Sequence, residues 1–259
     1  MTSENLAVTV VGGPTVVIDL GGLRFVTDPT FDTAGSSYEL GPVALRKLAD
    51  PALTPDEVGP VAAVLLSHDQ HPDNLDGAGR AFLKGAPLVL TTEQSAERVG
   101  GVGLAPWAEH ALERPDGGRV VVTAVPAQHG PAGTEAMLGS VTGFLLSGEG
   151  LPTVYVSGDN VSLDPVRALA ERVGERGVDL AVLHVGAAQL APFGPTLLSM
   201  TAEQAVEAAE LLGARRVLAV HHDGWEHFTE DRDVVAASFA KSGGAERLVS
   251  PGAGSHVAL

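Results

Sequence analysis

The sequence predicts an α+β fold in which two β-sheets pack against each other and are covered by helices. Three observations support this prediction. Short apolar runs rich in β-branched residues recur along the chain, glycine pairs typical of hairpin turns join the early runs, and helical segments become frequent in the second half. A strand-rich front followed by alternating strands and helices is typical of sheets flanked by helices. Because no linker or repeat divides the two halves, we expect residues 1–259 to form a single domain.

The predicted strands are short and spread over the whole chain. They cover residues 6–11, 15–20, 23–28, 61–67, 87–92, 119–125, 141–147, 153–158, 178–186 and 215–221. Each combines β-branched or apolar residues with flanking turn residues, which is the pattern of buried strands. The segments DLGGLR and SGEGLPT are predicted to be hairpin turns.

Four segments carry helix start and stop signals: 91–100, 162–177, 199–214 and 229–244. Thr92 and Thr201 are expected N-caps, because their hydroxyls can accept from the first free backbone N–H groups. Gly100 and Gly213 are expected to end their helices. Segment 33–60 is irregular and is predicted to form either a lid carrying Tyr38 and Arg46, or a surface excursion with one short helix.

Charge and composition narrow the expected partners. The chain has 32 acidic and 16 basic residues, which gives a formal charge of −16. Such a charge repels phosphate backbones and anionic lipids, so we expect a small-molecule substrate and neither nucleic acid nor membrane as a partner. The absence of cysteine excludes disulfides, thiol nucleophiles and cysteine-based zinc sites. The sequence leaves open whether the chain forms a homo-oligomer.

The start of the sequence lacks the basic and long apolar regions of a signal peptide. No run approaches the roughly 18 apolar residues of a membrane span. We therefore expect a cytoplasmic protein.

Potential metal ligands follow several of the predicted strands. Five histidines lie at or just past an apolar run, and Asp159 does likewise; the histidines are His68, His129, His184, His221 and His222. Strand ends feed the loops where rigid scaffolds present ligands, so these side chains can converge on one site. Together with Asp73, they indicate a metal centre built from imidazoles and carboxylates.

The order of these motifs resembles the metallo-β-lactamase superfamily. The resemblance covers nearly the whole chain, and it is strongest with the ascorbate-6-phosphate lactonase-like and N-acylphosphatidylethanolamine phospholipase D-like branch. Five segments carry it in the family's order: VVIDLGGLRFVTDPTFD (16–32), LLSHDQHPDNLD (65–76), VPAQHG (125–130), VYVSGDN (154–160) and LAVHHDGWEHF (218–228). The resemblance implies a four-layer αββα sandwich of two mixed sheets with one or two metal ions between them.

The first metal loop departs from the family's His-x-His-x-Asp-His pattern. A one-residue insertion at Gln70 would keep His68, His71 and Asp73 in their roles, with Asp69 as a competing ligand. Asn74 stands where the last histidine is expected, and its neutral amide oxygen is a poorer zinc ligand. The second metal position is therefore expected to be weak, shifted, or filled by manganese or iron.

The resemblance implies a role for each matched residue. His68, His71 and His129 would hold one ion, Asp73 and His221 would hold the other, and Asp159 would bridge the two. Zinc is the favoured metal. Asp73 and Asp159 are the expected catalytic carboxylates, with Asp73 as a proton carrier. Asn74, His184, His222 and Trp225 are candidates for contacts with the substrate or with the ligands.

The predicted activity is metal-dependent hydrolysis of a small-molecule lactone, ester or phosphodiester by a metal-activated water. The altered first loop motivates an alternative from another class. In that interpretation the chain is a non-catalytic or regulatory metal-binding protein that retains the hydrolase scaffold.

Overall fold

The computed structural model describes residues 5–259, which fold into two seven-stranded β-sheets and one small two-stranded sheet. Residues 1–4 lie outside the described residues. They belong to the segment in which the sequence predicts no signal peptide. The two large sheets are mixed and flanked by helices, so the predicted α+β sandwich is confirmed.

The first sheet contains the amino-terminal hairpins. In spatial order its strands are β16 (His256–Ala258), β1 (Leu6–Gly12), β2 (Thr15–Leu20), β3 (Leu23–Thr27), β6 (Ala63–Leu65), β7 (Val89–Thr91) and β8 (Val102–Gly103). Strands β16 through β3 pair antiparallel, and β3 through β8 pair parallel. The register places Val8 opposite Ile18, and Ile18 opposite Phe25, so these three side chains share one face.

The second sheet also has seven strands, part of them paired antiparallel and part parallel. In spatial order its strands are β15 (Leu248–Val249), β14 (Arg216–Val220), β13 (Leu180–His184), β12 (Val154–Val156), β11 (Thr142–Ser147), β10 (Arg119–Pro126) and β9 (Glu109–Glu113). Strands β9 through β12 pair antiparallel, and β12 through β15 pair parallel. The carboxyl ends of β10, β12, β13 and β14 therefore meet at one edge of the sheet.

Within residues 5–259, seven α-helices flank the sheets: α1 (Pro55–Val58), α2 (Gly77–Leu83), α3 (Glu93–Val99), α4 (Glu135–Leu138), α5 (Leu163–Val173), α6 (Ala202–Leu211) and α7 (Arg232–Lys241). The predicted caps Thr92 and Thr201 are confirmed, since each hydroxyl accepts from a first-turn N–H. None of the helices in residues 5–259 is both long enough and apolar enough to cross a membrane.

Apolar layers pack between the sheets and on the outer face of each, where Leu83 of α2 packs with Val64 and Val89 of the first sheet. The inner layer lies between the sheets and includes Val8 and Ile18 from the first sheet and Val122 and Phe144 from the second. The outer layer packs α5, α6 and α7 on the far side of the second sheet. Leucine, valine and alanine fill most of both layers, as the low aromatic content requires.

Segment 33–60 contains a hairpin that the sequence did not reveal. It is formed by β4 (Ser37–Leu40) and β5 (Val43–Arg46) and packs against Trp225. Tyr38 donates to Asp32, and Arg46 is largely exposed beside Glu226, so neither presents a free polar group to the site described below. The apolar side chains of the hairpin face that site instead.

Candidate metal centre

The strand ends bring the predicted ligands together at one edge of the sandwich. The candidate ligands follow strands by one to three residues: His68 after β6, His129 after β10, Asp159 after β12 and His221 after β14. His184, a candidate for substrate or ligand contacts, is the last residue of β13. The strands are buried on both faces, so the edge is a rigid support for these side chains.

One group consists of His68, His71 and His129. His71 Nδ1 lies 3.0 Å from His68 Nε2 and 3.1 Å from His129 Nε2. His129 Nδ1 donates to Leu198 O at 2.6 Å, which leaves Nε2 as the ring nitrogen available to a metal. The ligand atoms of the group all lie within 4.8 Å of one another.

This convergence of nitrogens fits a bound cation. An imidazole nitrogen has a single in-plane position, filled by a proton or by a lone pair, so His71 Nδ1 can make only one of its two contacts as a good hydrogen bond. A tetrahedral ion with nitrogen ligands at about 2.0–2.1 Å sets those nitrogens about 3.3 Å apart. The observed spacing is close to this value, and a cation would satisfy all three lone pairs.

A second group consists of Asp159, His184 and His221, which are all buried. Asp159 Oδ1 lies 3.0 Å from His184 Nδ1 and 3.6 Å from His221 Nε2. His184 Nε2 is buried and finds no hydrogen-bond partner among residues 5–259. His184, which the sequence suggests as a candidate for contacts with the substrate or with the ligands, lies in this group.

Asp73 connects the second group to a histidine that sequence reasoning did not select. Asp73 Oδ2 lies 3.2 Å from His221 Nε2 and 2.9 Å from His227 Nε2. Asp73 Oδ1 is buried and has no hydrogen-bond partner within the described part of the chain. Such an atom is costly to bury unless another group, such as a cation, occupies the space beside it.

Asn74 and Asp69 flank the first histidine group in different ways. The amide of Asn74 donates to Asp159 Oδ1 at 3.2 Å, so it contacts the bridging candidate. The Asp69 carboxylate instead accepts from Arg98 Nε at 3.0 Å and lies 3.9 Å from Arg80 Nη2. The structure therefore does not bring Asp69 to either group, because two guanidinium groups hold it on the far side of the loop.

His222 and Trp225 are also outside both groups. His222 lines a separate small cavity between β14 and α7. Trp225 packs against Val43 and Leu45 of the hairpin, with Lys47 Nζ 5.5 Å from its ring centre. Trp225 thus supports the hairpin and does not line the cavity next to the metal centre.

Protonation states favour metal ligation in the first group. Burial lowers the pKa of His71 to about 4, and it lowers the pKa of His68 well below its usual value. In both cases the neighbouring imidazoles disfavour the charged form further. These rings are therefore neutral near pH 7, which is the form that binds metals.

The carboxylates of the second group are ionised for a different reason. Burial opposes ionisation of Asp73, but the imidazoles of His227 and His221 outweigh it and hold the pKa of that carboxyl well below its usual range. Asp159 behaves in the same way, with His221 as the main stabilising neighbour of its low pKa. Burial also lowers the pKa of His221, yet Asp159 and Asp73 raise it to about 8. Asp159 and Asp73, which stabilise the protonated form of His221, would also attract a metal cation.

Asp28 is the aspartate of the TDP turn, and it lies next to His184 of the second group. Its Oδ1 accepts from the backbone of Ser67, and its Oδ2 is 3.9 Å from His184 Nε2. Burial raises the pKa of Asp28 to about 8, and the nearby charge of Asp159 adds to this effect. The sequence marked the turn, but it did not indicate that its carboxyl returns to the site.

A cavity of about 510 Å³ opens beside the two groups. Its polar lining consists of Gln70, His71, Asp73, His129, Asp159 and His227. A cavity of this size accommodates a small molecule. The candidate ligands thus lie where a substrate would meet them.

The loop that carries His221 depends on Gly186. His221 has a φ of 61°, and a Cβ on Gly186, where φ is +103°, would lie 2.4 Å from the carbonyl oxygen of His221. We expect Gly186→Ala to lower the free energy of unfolding by about 2 kcal/mol or more, because it adds both a clash and backbone strain.

The stability of this variant can be measured by urea unfolding, with metal content as a second readout. Gly174→Ala is the matched control, since Gly174 has a φ of +58° and open space around its added Cβ. If both variants lose the same stability, the close approach to His221 is not the cause.

Comparison with known proteins agrees with this geometry. A family model described as a beta-lactamase superfamily domain matches residues 23–222. A UPF0173 metal-dependent hydrolase of Pyrococcus abyssi is 27% identical over 196 residues, which cover 71% of this chain and 80% of the relative. The N-acyl-phosphatidylethanolamine-hydrolyzing phospholipase D 1 of Caenorhabditis elegans is 26% identical over 254 residues, which cover 90% of this chain and 69% of the relative.

Solved structures share the fold at lower sequence identity. The isothiocyanate hydrolase from Delia radicum gut bacteria superposes with a TM-score of 0.81 at 20% identity, covering 98% of this chain and 99% of that one. A metallo hydrolase from Ignicoccus hospitalis superposes with a TM-score of 0.68 at 18% identity, covering 97% of each chain.

Proposed function

Since the chain belongs to the beta-lactamase superfamily and is a metal-dependent hydrolase of that group, we propose that its substrate is a small-molecule lactone, ester or phosphodiester. The observation that carries this proposal is the convergence of His68, His71 and His129, with His71, His129 and Asp159 lining a substrate-sized cavity. Groups that bind a metal and a space that holds a substrate therefore adjoin each other.

We assign the ligands from the contacts around each group. His68, His71 and His129 would hold one ion, and Asp73 and His221 would hold the second, with Asp159 between them. His184 would supply the imidazole that Asn74 lacks, because it already contacts the Asp159 carboxylate. Zinc suits this mixture of imidazole and carboxylate, and manganese or iron suits it if the second site is rich in oxygen.

When bound, divalent ions would lower the pKa of a water molecule to about 7 and offset negative charge on the substrate oxygen. The protein's own residues do the positioning. Leu198 O fixes the tautomer of His129, and His227 holds the Asp73 carboxylate from the cavity side. Asp73 Oδ1 has no hydrogen-bond partner among residues 5–259, so this oxygen would face the second ion. Where Asp73 is not coordinated, its carboxylate can take a proton from water and pass it to the leaving group.

The first test is metal content followed by a substrate panel. We expect at least one divalent ion per chain by elemental analysis, and a fall in melting temperature on chelation, because an ion that binds only the folded state stabilises it. The panel contains lactones, carboxylic esters and phosphodiesters, together with an isothiocyanate because a structural neighbour acts on that class.

Two outcomes would contradict the proposal. A chain with less than half an ion, whose melting temperature did not change on chelation, would refute metal binding. A fully metallated chain that turned over nothing in the panel would instead support the non-catalytic, regulatory alternative.

A further inference from the structure

The cavity beside the metal centre has walls that are almost entirely apolar. The β4–β5 hairpin contributes Leu40, Pro42, Val43 and Leu45. The segment after β13 contributes Leu190 and Phe193, which pack with the hairpin, and α4 adds further apolar side chains. The polar side chains of the lining belong to Gln70 and to residues of the candidate metal centre.

No lysine or arginine lines this cavity in the part of the chain that the structure describes. The nearby cations are paired elsewhere. Lys47 Nζ is buried and donates to Thr30 O and Asp76 Oδ2, both at 3.0 Å. Arg98 pairs with Asp69, and Arg46 is 64% exposed beside Glu226. Outside the metal centre, an anionic substrate would therefore meet no positive side chain.

A phosphodiester carries a negative charge that enzymes normally match with arginine or lysine as well as metal. The chain's charge of −16 adds a further long-range penalty for an anion. An uncharged ester or lactone with an apolar substituent has no such requirement, and its substituent would be removed from water by the walls.

We propose, resting on the hydrolase function above, that the substrates are uncharged carboxylic esters or lactones that carry an apolar group, and that phosphodiesters are poor substrates. In this reaction water adds its oxygen to the carbonyl carbon, and the bond from that carbon to the leaving oxygen breaks. One proton of the water goes to the leaving oxygen and the other stays on the new carboxylic acid group. An ester therefore gives a carboxylic acid and an alcohol or phenol, and a lactone gives a single hydroxy acid.

Substrates with one common leaving group make the comparison direct. We would measure kcat/KM of the zinc-loaded protein for p-nitrophenyl acetate, butanoate and hexanoate, and for bis(p-nitrophenyl) phosphate. We expect kcat/KM to rise about threefold for each added methylene, in line with burial of that group. The phosphodiester should react at least about 100-fold more slowly than the hexanoate ester.

A charge placed in the wall tests the cause of this selectivity. Leu40 is partly exposed at the end of β4 and lines the cavity, so Leu40→Lys should fold normally. We expect this variant to lower kcat/KM for the hexanoate about tenfold and to raise the relative rate on the phosphodiester. Leu48→Lys is the matched control, because Leu48 is 60% exposed and lies outside the cavity.

A binding measurement separates failure of this inference from failure of the hydrolase proposal. Calorimetry with methyl ketones from 2-butanone to 2-octanone needs no turnover, and dibutyl phosphate is the anionic comparison. Ketone affinity that rises with chain length and falls in Leu40→Lys supports the inference even if no ester is hydrolysed. Affinity that does not depend on chain length, or phosphodiester turnover equal to that of the hexanoate, would overturn it.

Discussion

Replacing Asp159 with asparagine is expected to reduce kcat/KM for the best substrate at least about 1,000-fold, which corresponds to about 4 kcal/mol of transition-state stabilisation. The amide keeps the shape of the side chain but removes the negative charge that His184 and His221 surround. A neutral amide oxygen is also a much weaker ligand for a divalent ion than a carboxylate is.

The variant should also change the response to metal in a way that a simple loss of stability would not. Zinc at 100 times its dissociation constant stabilises the folded protein by about 2.7 kcal/mol, and the variant should lose most of this increment. Asp164→Asn is the control, because Asp164 is exposed at the start of α5. If Asp159→Asn retained both its metal and its rate, the bridging assignment would be wrong.

The positions of most candidate ligands could be predicted because they depend on local signals. His68, His129, Asp159 and His221 each follow an apolar run that becomes a buried strand, and parallel strands place their carboxyl ends at one edge. The chemistry of that edge follows from the residue types alone.

The role of His227 could not be predicted in this way. It lies seven residues past β14 in an irregular segment, and its ring reaches Asp73, which is 154 positions earlier in the chain. Asp69 is the opposite case, a residue that the sequence suggests as a ligand and that the structure places outside both groups. Its place in the loop makes it a competing ligand, and only the fold reveals that Arg98 neutralises it. Both outcomes are set by tertiary contacts that carry no periodic or spacing signal.

The β4–β5 hairpin was missed for a related reason. Its strands have only four residues each, and the segment contains several prolines, so its pattern suggests an irregular loop. A lysine at position 47 reinforces that interpretation, because lysine is rarely buried without a partner. The structure supplies the partner in Asp76, whose carboxylate also caps α2.

Replacing Lys47 with methionine is therefore expected to lower the free energy of unfolding by about 3 kcal/mol. The Lys47 and Asp76 side chains are 4% and 0% exposed, so methionine would preserve packing but leave a buried carboxylate without its counter-charge. Backbone N–H groups of Phe31, Asp32 and Gly79 would still donate to Asp76 in the variant. The expected loss of unfolding free energy therefore lies at the lower end of the range for a broken buried ion pair. For a chain of this size the melting temperature should fall by roughly 6–12 °C.

Arg46→Met is the matched control, because it removes the neighbouring cation from an exposed pair whose closest atoms are 3.9 Å apart. It should change stability by no more than about 0.5 kcal/mol. Lys47 directly follows β5 of the hairpin that lines the cavity, so its loss should raise KM for apolar esters more than it lowers kcat. Equal effects of the two substitutions on stability and KM would show that the buried pair does not anchor the wall. A large effect of Lys47→Met alone would make one buried ion pair, outside both candidate ligand groups, responsible for the shape of the substrate cavity.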